Sequence, residues 1–385
     1  MSRQISRLPG STGIKVLFTC SSPKRVGGIQ SIIRDLASGL RRRGHETLVY
    51  GVGEPVDGDA SAGIGTPMVW SLDALPFVPD IIHGHHHLVA MPAIMALPGV
   101  PALYSSHGAT HGDRPPRHPR IYGYTAMSPT LRLRMATESG IDEGDIAVVC
   151  NTVDLERFSV RREPPERPRK ALVYRRDFDP DSAVGREIRE AADAAGLTLD
   201  FRGLGTKLRT VLFPEKDLPR YDLVFASGKS AIEALACGCA VIILGNTTCG
   251  ELVRQSNFDR LRQGNFTPPV NSPPPASAAI LGEIRGISAA EVGATSLRLR
   301  RVADARRQVD VFLGIYEKVI GIHKRTPPDL AAEQRAVFRY LRDLLPLVEP
   351  LDAPPEAQPI PQKRKAAFAA LARQIAATIE PDPDA

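Results

Sequence analysis

The chain has 385 residues, a formal net charge of +6 and a pI near 9.1. Its length exceeds what one hydrophobic core organises, which predicts two domains, and no apolar run approaches the ~20 residues that a membrane-spanning helix needs. Residues 1–13 lack the apolar stretch of a secretory signal, and five scattered cysteines (Cys20, Cys150, Cys237, Cys239, Cys249) suit reduced thiols in a cytoplasm. The positive balance calls for an anionic partner. Without zinc-finger spacing, an RNP-like segment or a long groove-reading basic helix, nucleic acid is not expected to be that partner.

The first unit is a short apolar strand at 15–19, a polar Gly-containing loop at 21–28, and a helix in which Ile29, Ile32, Ile33, Leu36 and Leu40 share a face. Gly44 stops the helix and 46–50 resumes as strand, which makes a β-loop-α-β unit of a parallel doubly wound sheet. Further strands are expected at 81–83, 101–104, 124–127 and 147–149. A helix at 129–138 starts from a Ser128 cap, with proline in its first turn. The Pro- and Arg-rich stretch 161–170 reads as a hinge.

Beyond it the alternation restarts, with strands at 171–174, 197–201, 222–226 and 240–244 and helices at 183–195 and 230–237. Two helices follow near 289–303 and 304–320. A helix at 330–345 is expected to stop before Pro346. A Pro-rich linker at 348–362 leads to a basic amphipathic helix at 363–379, with Phe368, Leu371, Ile375 and Ile379 on one face. That helix either docks on anionic lipid, as the Arg41-Arg42-Arg43 run could, or packs back on the first domain. The boundaries are therefore 1–163 for a first domain, 164–325 for a second and 326–385 for a C-terminal helical tail.

The richest constellation runs from Tyr221 to Ile242, where a strand enters a small-residue turn, Ser227-Gly228, and then a helix. Unpaired amides at such a helix start, Ser230 among them, attract an anion together with the helix dipole. Lys229 adds a full charge, and Glu233, one turn on, is placed to accept ribose hydroxyls. A plain structural helix start with an incidental lysine is the competing reading. Leu223 stands where a Walker A loop needs glycine, and Leu208 where a dinucleotide fingerprint from Gly203 needs its third.

The segment 222–253 resembles the signature of family-four retaining glycosyltransferases of the GT-B fold. There Glu-Ala-(Met/Leu)-Ala-x-Gly-x-(Pro/Ala)-Val is followed by a strand, a Gly-rich turn and a Glu; here these are 233–241, 245–250 and Glu251. Val26-Gly27-Gly28, Arg43-Gly44-His45-Glu46, Pro79-Asp80-Ile81-Ile82-His83, Ser106-His107-Gly108 and the 151–158 segment, Asn-Thr-Val-Asp-Leu-Glu-Arg-Phe, are similar to the family's other motifs in order. The resemblance spans roughly 14–320 and implies an α/β protein with two Rossmann-like domains facing a cleft. It implies transfer of a sugar from a nucleoside-diphosphate sugar with retention, without metal or cofactor. Gly27 and Gly28 would approach the diphosphate, His107 the sugar, Glu233 the ribose, and Gly250 and Glu251, on a turn, the donor sugar or phosphates. A cell-surface glycan or lipid-linked acceptor, and a cytoplasmic or peripheral inner-membrane location, follow from family habit and positive charge.

Two departures bear on catalysis. Phe225 occupies the position of the family's first Glu, and Asp181 that of a lysine five residues after its Gly-Arg, here Tyr174-Arg175-Arg176. Either Lys229 with Arg175 or Arg176 replaces the missing cation, or the protein is a catalytically silent nucleotide-sugar binder or partner subunit; a sugar-nucleotide epimerase on the same fold is a further alternative. Three other features are assigned no metal. The 83–87 histidines read as a strand end feeding the cleft, Asp179-Pro180-Asp181 as a turn, and Cys237-Gly238-Cys239 as a helix end.

Overall fold

The computed structural model describes residues 13–21, 27–52, 65–108, 111–175, 178–202, 213–268, 275–326 and 329–348. In chain order the first domain contains β1 (Lys15–Cys20), α1 (Gly28–Arg42), β2 (Glu46–Gly51), β3 (Met68–Val69), β4 (Ile81–His85), α2 (His87–Ala96), β5 (Ala102–Ser106), β6 (Ile121–Ala126), α3 (Pro129–Ser139) and β7 (Ile146–Val148). The seven strands order as β3-β2-β1-β4-β5-β6-β7 and pair in parallel. Strand order reverses beside β1, which places the ligand crevice outside the C-terminal ends of β1 and β4.

The second domain contains β8 (Lys170–Tyr174), α4 (Ala183–Ala194), β9 (Thr198–Arg202), α5 (Pro214–Asp217), β10 (Leu223–Ala226), α6 (Gly228–Ala236), β11 (Ala240–Leu244), β12 (Cys249–Leu252), α7 (Phe258–Gln263), α8 (Ser277–Arg285) and α9 (Ala289–Val302). Its sheet orders as β12-β11-β10-β8-β9, parallel except for the antiparallel edge strand β12. β10 and β11 are wholly apolar and buried because helices cover both faces.

The chain then returns to the first domain earlier than 326. At the crossing, Val153 N–H donates to the Ala303 carbonyl at 2.8 Å and Ala305 N–H to the Val153 carbonyl at 3.0 Å. Asp304 caps the following helix, α10 (Ala305–Arg325), through Arg306 N–H. Val309, Phe312, Tyr316 and Val319 of α10 share one core with Val16, Phe18, Ile33, Leu36 and Leu103. So 305–325 packs on the first domain rather than on the second. Its close approach to α1 depends on Gly39, where a Cβ would come within 2.5 Å of Val309 Cγ2.

The last described helix, α11 (Leu330–Val348), also covers the first domain and runs through Pro346 instead of stopping before it. A proline in the last turn forfeits one backbone hydrogen bond without ending the helix there. The expected 363–379 helix lies outside the described residues. Docking of α11 centres on Arg120, whose side chain is buried. Its Nε donates to Glu333 Oε2 at 2.9 Å, and its Nη atoms donate to the carbonyls of Ile94, Leu97 and Val100 at the end of α2. Removing one member of a buried ion pair strands the other charge and costs about 3–5 kcal/mol. Glu333→Ala is therefore expected to lower the unfolding free energy by about that much in urea titration; an unchanged midpoint would show that α11 contributes nothing to the first domain's stability.

Candidate active site

The C-terminal edges of the two sheets face each other across a cleft of about 490 Å³. Gly28, Ile29, His107, Met127 and Asn151 line it from the first domain. Arg175, Ser227, Gly228, Lys229, the turn 245–248 and Asn265 line it from the second.

In the second domain, β10 ends in Ser227, extended at the N-cap of α6, and no side chain caps the helix. Gly228 follows at φ +57°, a conformation that L side chains avoid, and its N–H donates to the Phe266 carbonyl at 3.1 Å. The Ser227 hydroxyl accepts from Arg175 Nη1 at 2.6 Å. The same guanidinium donates to the Leu244 carbonyl at 2.9 Å and to Asn246 Oδ1 at 3.0 Å from Nε. All these acceptors are neutral, so among the described residues Arg175 brings an unneutralised positive charge to the cleft wall. Burial lowers its pKa without discharging it. Arg176 lies outside the described residues.

Lys229 does not supply the cleft's charge in the expected way. Its side chain is buried, and its Nζ donates to Asp35 Oδ2 of α1 at 2.6 Å and to the Thr152 carbonyl at 2.5 Å. The ammonium thus ties the second domain to the first. Glu233 belongs to the same buried cluster. Its Oε1 lies 3.6 Å from Arg157 Nη2 and 3.9 Å from Lys229 Nζ, and it makes no hydrogen bond. Burial raises its pKa, against the opposing pull of Lys229 and Arg157. Neither Glu233 nor Ser230 lines the cleft. Gly27 is the N-cap of α1, one residue short of it. Gly250 and Glu251 lie on strand β12 rather than on a turn, and Glu251 is paired with Arg260 and Asn257. The turn that reaches the cleft is 245–248.

In the first domain His107 follows β5 and lines the cleft. Desolvation depresses its pKa to about 4, opposed by the nearby Asp113 carboxylate. His83 and His85, which stand behind it on β4, are buried and held well below the ordinary imidazole value. His83 and His85 are two residues apart on one strand and therefore share a face, with rings stacked at 4.3 Å.

Several site residues gave little sign of themselves in the sequence. Asn151 Nδ2 donates to Asn265 Oδ1 at 3.0 Å, a second bridge between the domains. Asn151 opens a recognised motif, but Asn265 sits at φ +53° in a turn that no pattern announces. Asp35 carried a usable signal: it is an acid flanked by the apolar stripe of α1 and is fully buried.

Residues 26–157 match the family described as Glycosyltransferase Family 4. A glycosyltransferase from Rickettsia africae ESF-5 is similar in structure, with a TM-score of 0.54 at 14% identity, covering 80% of this chain and 99% of that one. A lipopolysaccharide outer core galactosyltransferase, WaaB, gives a TM-score of 0.49 at 14% identity over 79% and 100% of the two chains. No curated protein sequence matches. The fold is GT-B, two Rossmann-like domains with C-terminal helices. These findings support a glycosyltransferase function at the coarse level. Among the described residues no helix is long and apolar enough to cross a membrane.

Two tests follow from these placements. Lys229→Ala is expected to cost about 3–5 kcal/mol of stability by denaturant titration, since Asp35 would keep a buried charge. A variant as stable as its parent would show that the buried pair with Asp35 does not hold the lysine. The depressed histidines also set a pH window. Above the usual imidazole value of about 6.5 both folded and unfolded forms are neutral and stability is full. As pH falls from there toward 4, the unfolded chain binds protons that His83, His85 and His107 refuse, so the urea midpoint drops. A flat midpoint between pH 7 and pH 5 would contradict the depression.

Proposed function

We propose that the chain is a retaining glycosyltransferase that moves a sugar from a nucleoside-diphosphate sugar, held by the second domain, to a cell-surface glycan or lipid-linked acceptor presented by the first. The observation that carries this reading is Arg175. Its guanidinium is anchored by the Ser227 hydroxyl, the Leu244 carbonyl and Asn246, beside the uncapped start of α6. A departing diphosphate needs positive charge and aligned N–H donors as negative charge builds on its bridging oxygen. Arg175 offers a planar fork suited to phosphate oxygens, and the helix start adds its partial positive charge. This is the compensation that the missing family lysine calls for, and it comes from Arg175 rather than Lys229.

His107 stands on the opposite wall, where the sugar would sit. Gly28 opens α1 with no side chain at the cleft, and a Cβ there would reach only Lys229 Cβ, at 4.0 Å. The nearest charge source for the diphosphate is a side chain, so the reading calls for no resident metal. Closure of the domains would exclude water that otherwise hydrolyses the donor. Retention rests on the family match. The positive net charge favours a cytoplasmic protein with peripheral contact to an anionic membrane surface.

A second reading is supported by one observation. The only lysine at the helix start is consumed by Asp35, and Glu233 is buried away from the cleft, as in a protein that binds a nucleotide sugar without turning it over. A thermal-shift screen against nucleoside diphosphates and their sugar conjugates, followed by donor-consumption assays with the best binder, separates the two. Arg175→Ala is expected to cut turnover on the order of 10²–10³-fold while leaving nucleoside monophosphate binding nearly intact. Tight binding with no turnover under any acceptor selects the silent binder, and absence of nucleotide binding removes both.

A further inference from the structure

The first domain holds two further cavities that the proposed chemistry leaves unused. One, of about 320 Å³, is lined by Ser106 and Gly108, on either side of His107, and by Leu131 and Met135 of α3. The other, of about 620 Å³, lies between α11, the segment 114–119 and the end of α3. Both volumes fall in the range of ligand pockets, about 300–1,000 Å³. Arg114, Pro115, Glu138 and Ser139 line both, so the two adjoin as one groove.

The groove begins beside the cleft and follows α3 outward. Met127, just ahead of the Ser128 cap, lines the cleft, Leu131 the smaller cavity, and Ser139 both cavities. Leu131 to Ser139 is roughly 12 Å of helix at about 1.5 Å per residue, a path too long for one sugar ring to fill. Helix α11 closes the far part. It is fixed there by the Arg120–Glu333 pair and by the Tyr340 hydroxyl, which lies 3.0 Å from His87 Nδ1 and donates to the His87 carbonyl at 3.2 Å.

The larger cavity has an apolar floor and a charged rim. Ile121, Tyr124, Ile141, Ala336 and Leu344 line it and are buried. Its exposed rim carries Arg114, Arg117, Arg339, Asp142 and Asp145. Among the described residues none of these three guanidinium groups is paired with a carboxylate. Glu138 and Asp343, also on the rim, are held by Arg134 and Arg342.

A guanidinium only donates hydrogen bonds and a carboxylate only accepts them. A rim that mixes the two is close to neutral, so it selects neither a simple anion nor a simple cation. It matches a neutral ligand whose hydroxyls both donate and accept, and whose C–H faces pack on an apolar and aromatic floor. Ser139 adds one more point of contact. Its Oγ is buried, in the wall common to both cavities, and has no hydrogen-bond partner, which a ligand hydroxyl would supply.

We propose that this groove binds an oligosaccharide, with α11 as its outer wall. That the bound glycan is the acceptor, its reacting end beside His107, rests on the function proposed above. The binding itself does not.

The experiment uses the full chain, without nucleotide, on an array of bacterial surface glycans running from single sugars to hexasaccharides. The best binder and its terminal single sugar are then titrated by calorimetry. The expected result is saturable binding of the oligosaccharide and none of the single sugar. Arg117→Ala and Arg339→Ala lie on different walls of the larger cavity and are exposed, so their unfolding midpoints are expected to match the parent's. Each is expected to weaken the oligosaccharide about 10-fold, the loss of one charge-assisted hydrogen bond. No binding to any glycan on the array overturns the proposal, as does an affinity that neither substitution moves. Displacement of the glycan by inorganic phosphate marks an anion site and also overturns it. A glycan that binds as expected, in a chain that consumes no sugar donor, upholds the groove and overturns only its role as acceptor site.

Discussion

The arrangement of the cleft depends on one buried ion pair between helices that belong to different domains. Lys229 enters from the first turn of α6, Asp35 from the middle of α1, and both side chains are almost wholly shielded from water. Taking two charges out of water is expensive, and such a pair is weak evidence for net stability. What it supplies is register. The ammonium also donates to the Thr152 carbonyl, so it is fixed to a helix and to the linker that leads out of the first domain. With Lys229 committed to that task, the starts of α1 and α6 must face each other across the same gap. Arg157 and Glu233 extend the cluster, at distances of 3.6–3.9 Å that leave room for adjustment.

The division of labour between Lys229 and Arg175 follows from this. A lysine is a compact charge that three acceptors can surround, as Asp35, Thr152 and Glu233 do here. A guanidinium keeps several donors in one plane and stays charged when desolvated. Arg175 can therefore be anchored by neutral oxygens on one side and still leave net charge for a ligand on the other. The chain's departure from the family pattern at Asp181 thus leaves a cation on the donor wall, contributed by the residue after β8.

Much of this fold was legible because alternation of apolar strands and amphipathic helices is a local signal. The β1–α1–β2 unit, the Ser128 cap and the strand-turn-helix at 223–236 are set by residues within a few positions of one another. Misreadings arose where that locality fails. Helix α2 was hidden because His87–Ala96 is apolar all round and has no periodic face to detect. Gly250 and Glu251 were assigned to a turn because glycine and a short polar run mask an edge strand, whose pairing with β11 is a tertiary event. His107, Gly28, Ser227, Gly228 and Arg175 come to one cleft because strand ends converge there. The partner of Lys229 is 194 positions away, and no spacing rule reaches it.

The early return of the chain at Asp304 ties these parts together. Helix α10 is continuous in sequence with the second domain, yet Phe312 and Tyr316 pack under His83, at ring separations of 5.0 and 5.6 Å. The Tyr316 hydroxyl satisfies one nitrogen of His83, and the His83 ring is the surface against which His85 is stacked. The wall that carries His107 is therefore built partly from a segment that enters only after the second domain has been completed. A protein cut before α10 would keep both sheets but would leave His83 Nδ1 without its partner and the α1 groove uncovered. The two domains are thus joined by the Lys229–Asp35 pair and the Asn151–Asn265 hydrogen bond at the cleft, and by the crossover helix behind the histidine layer.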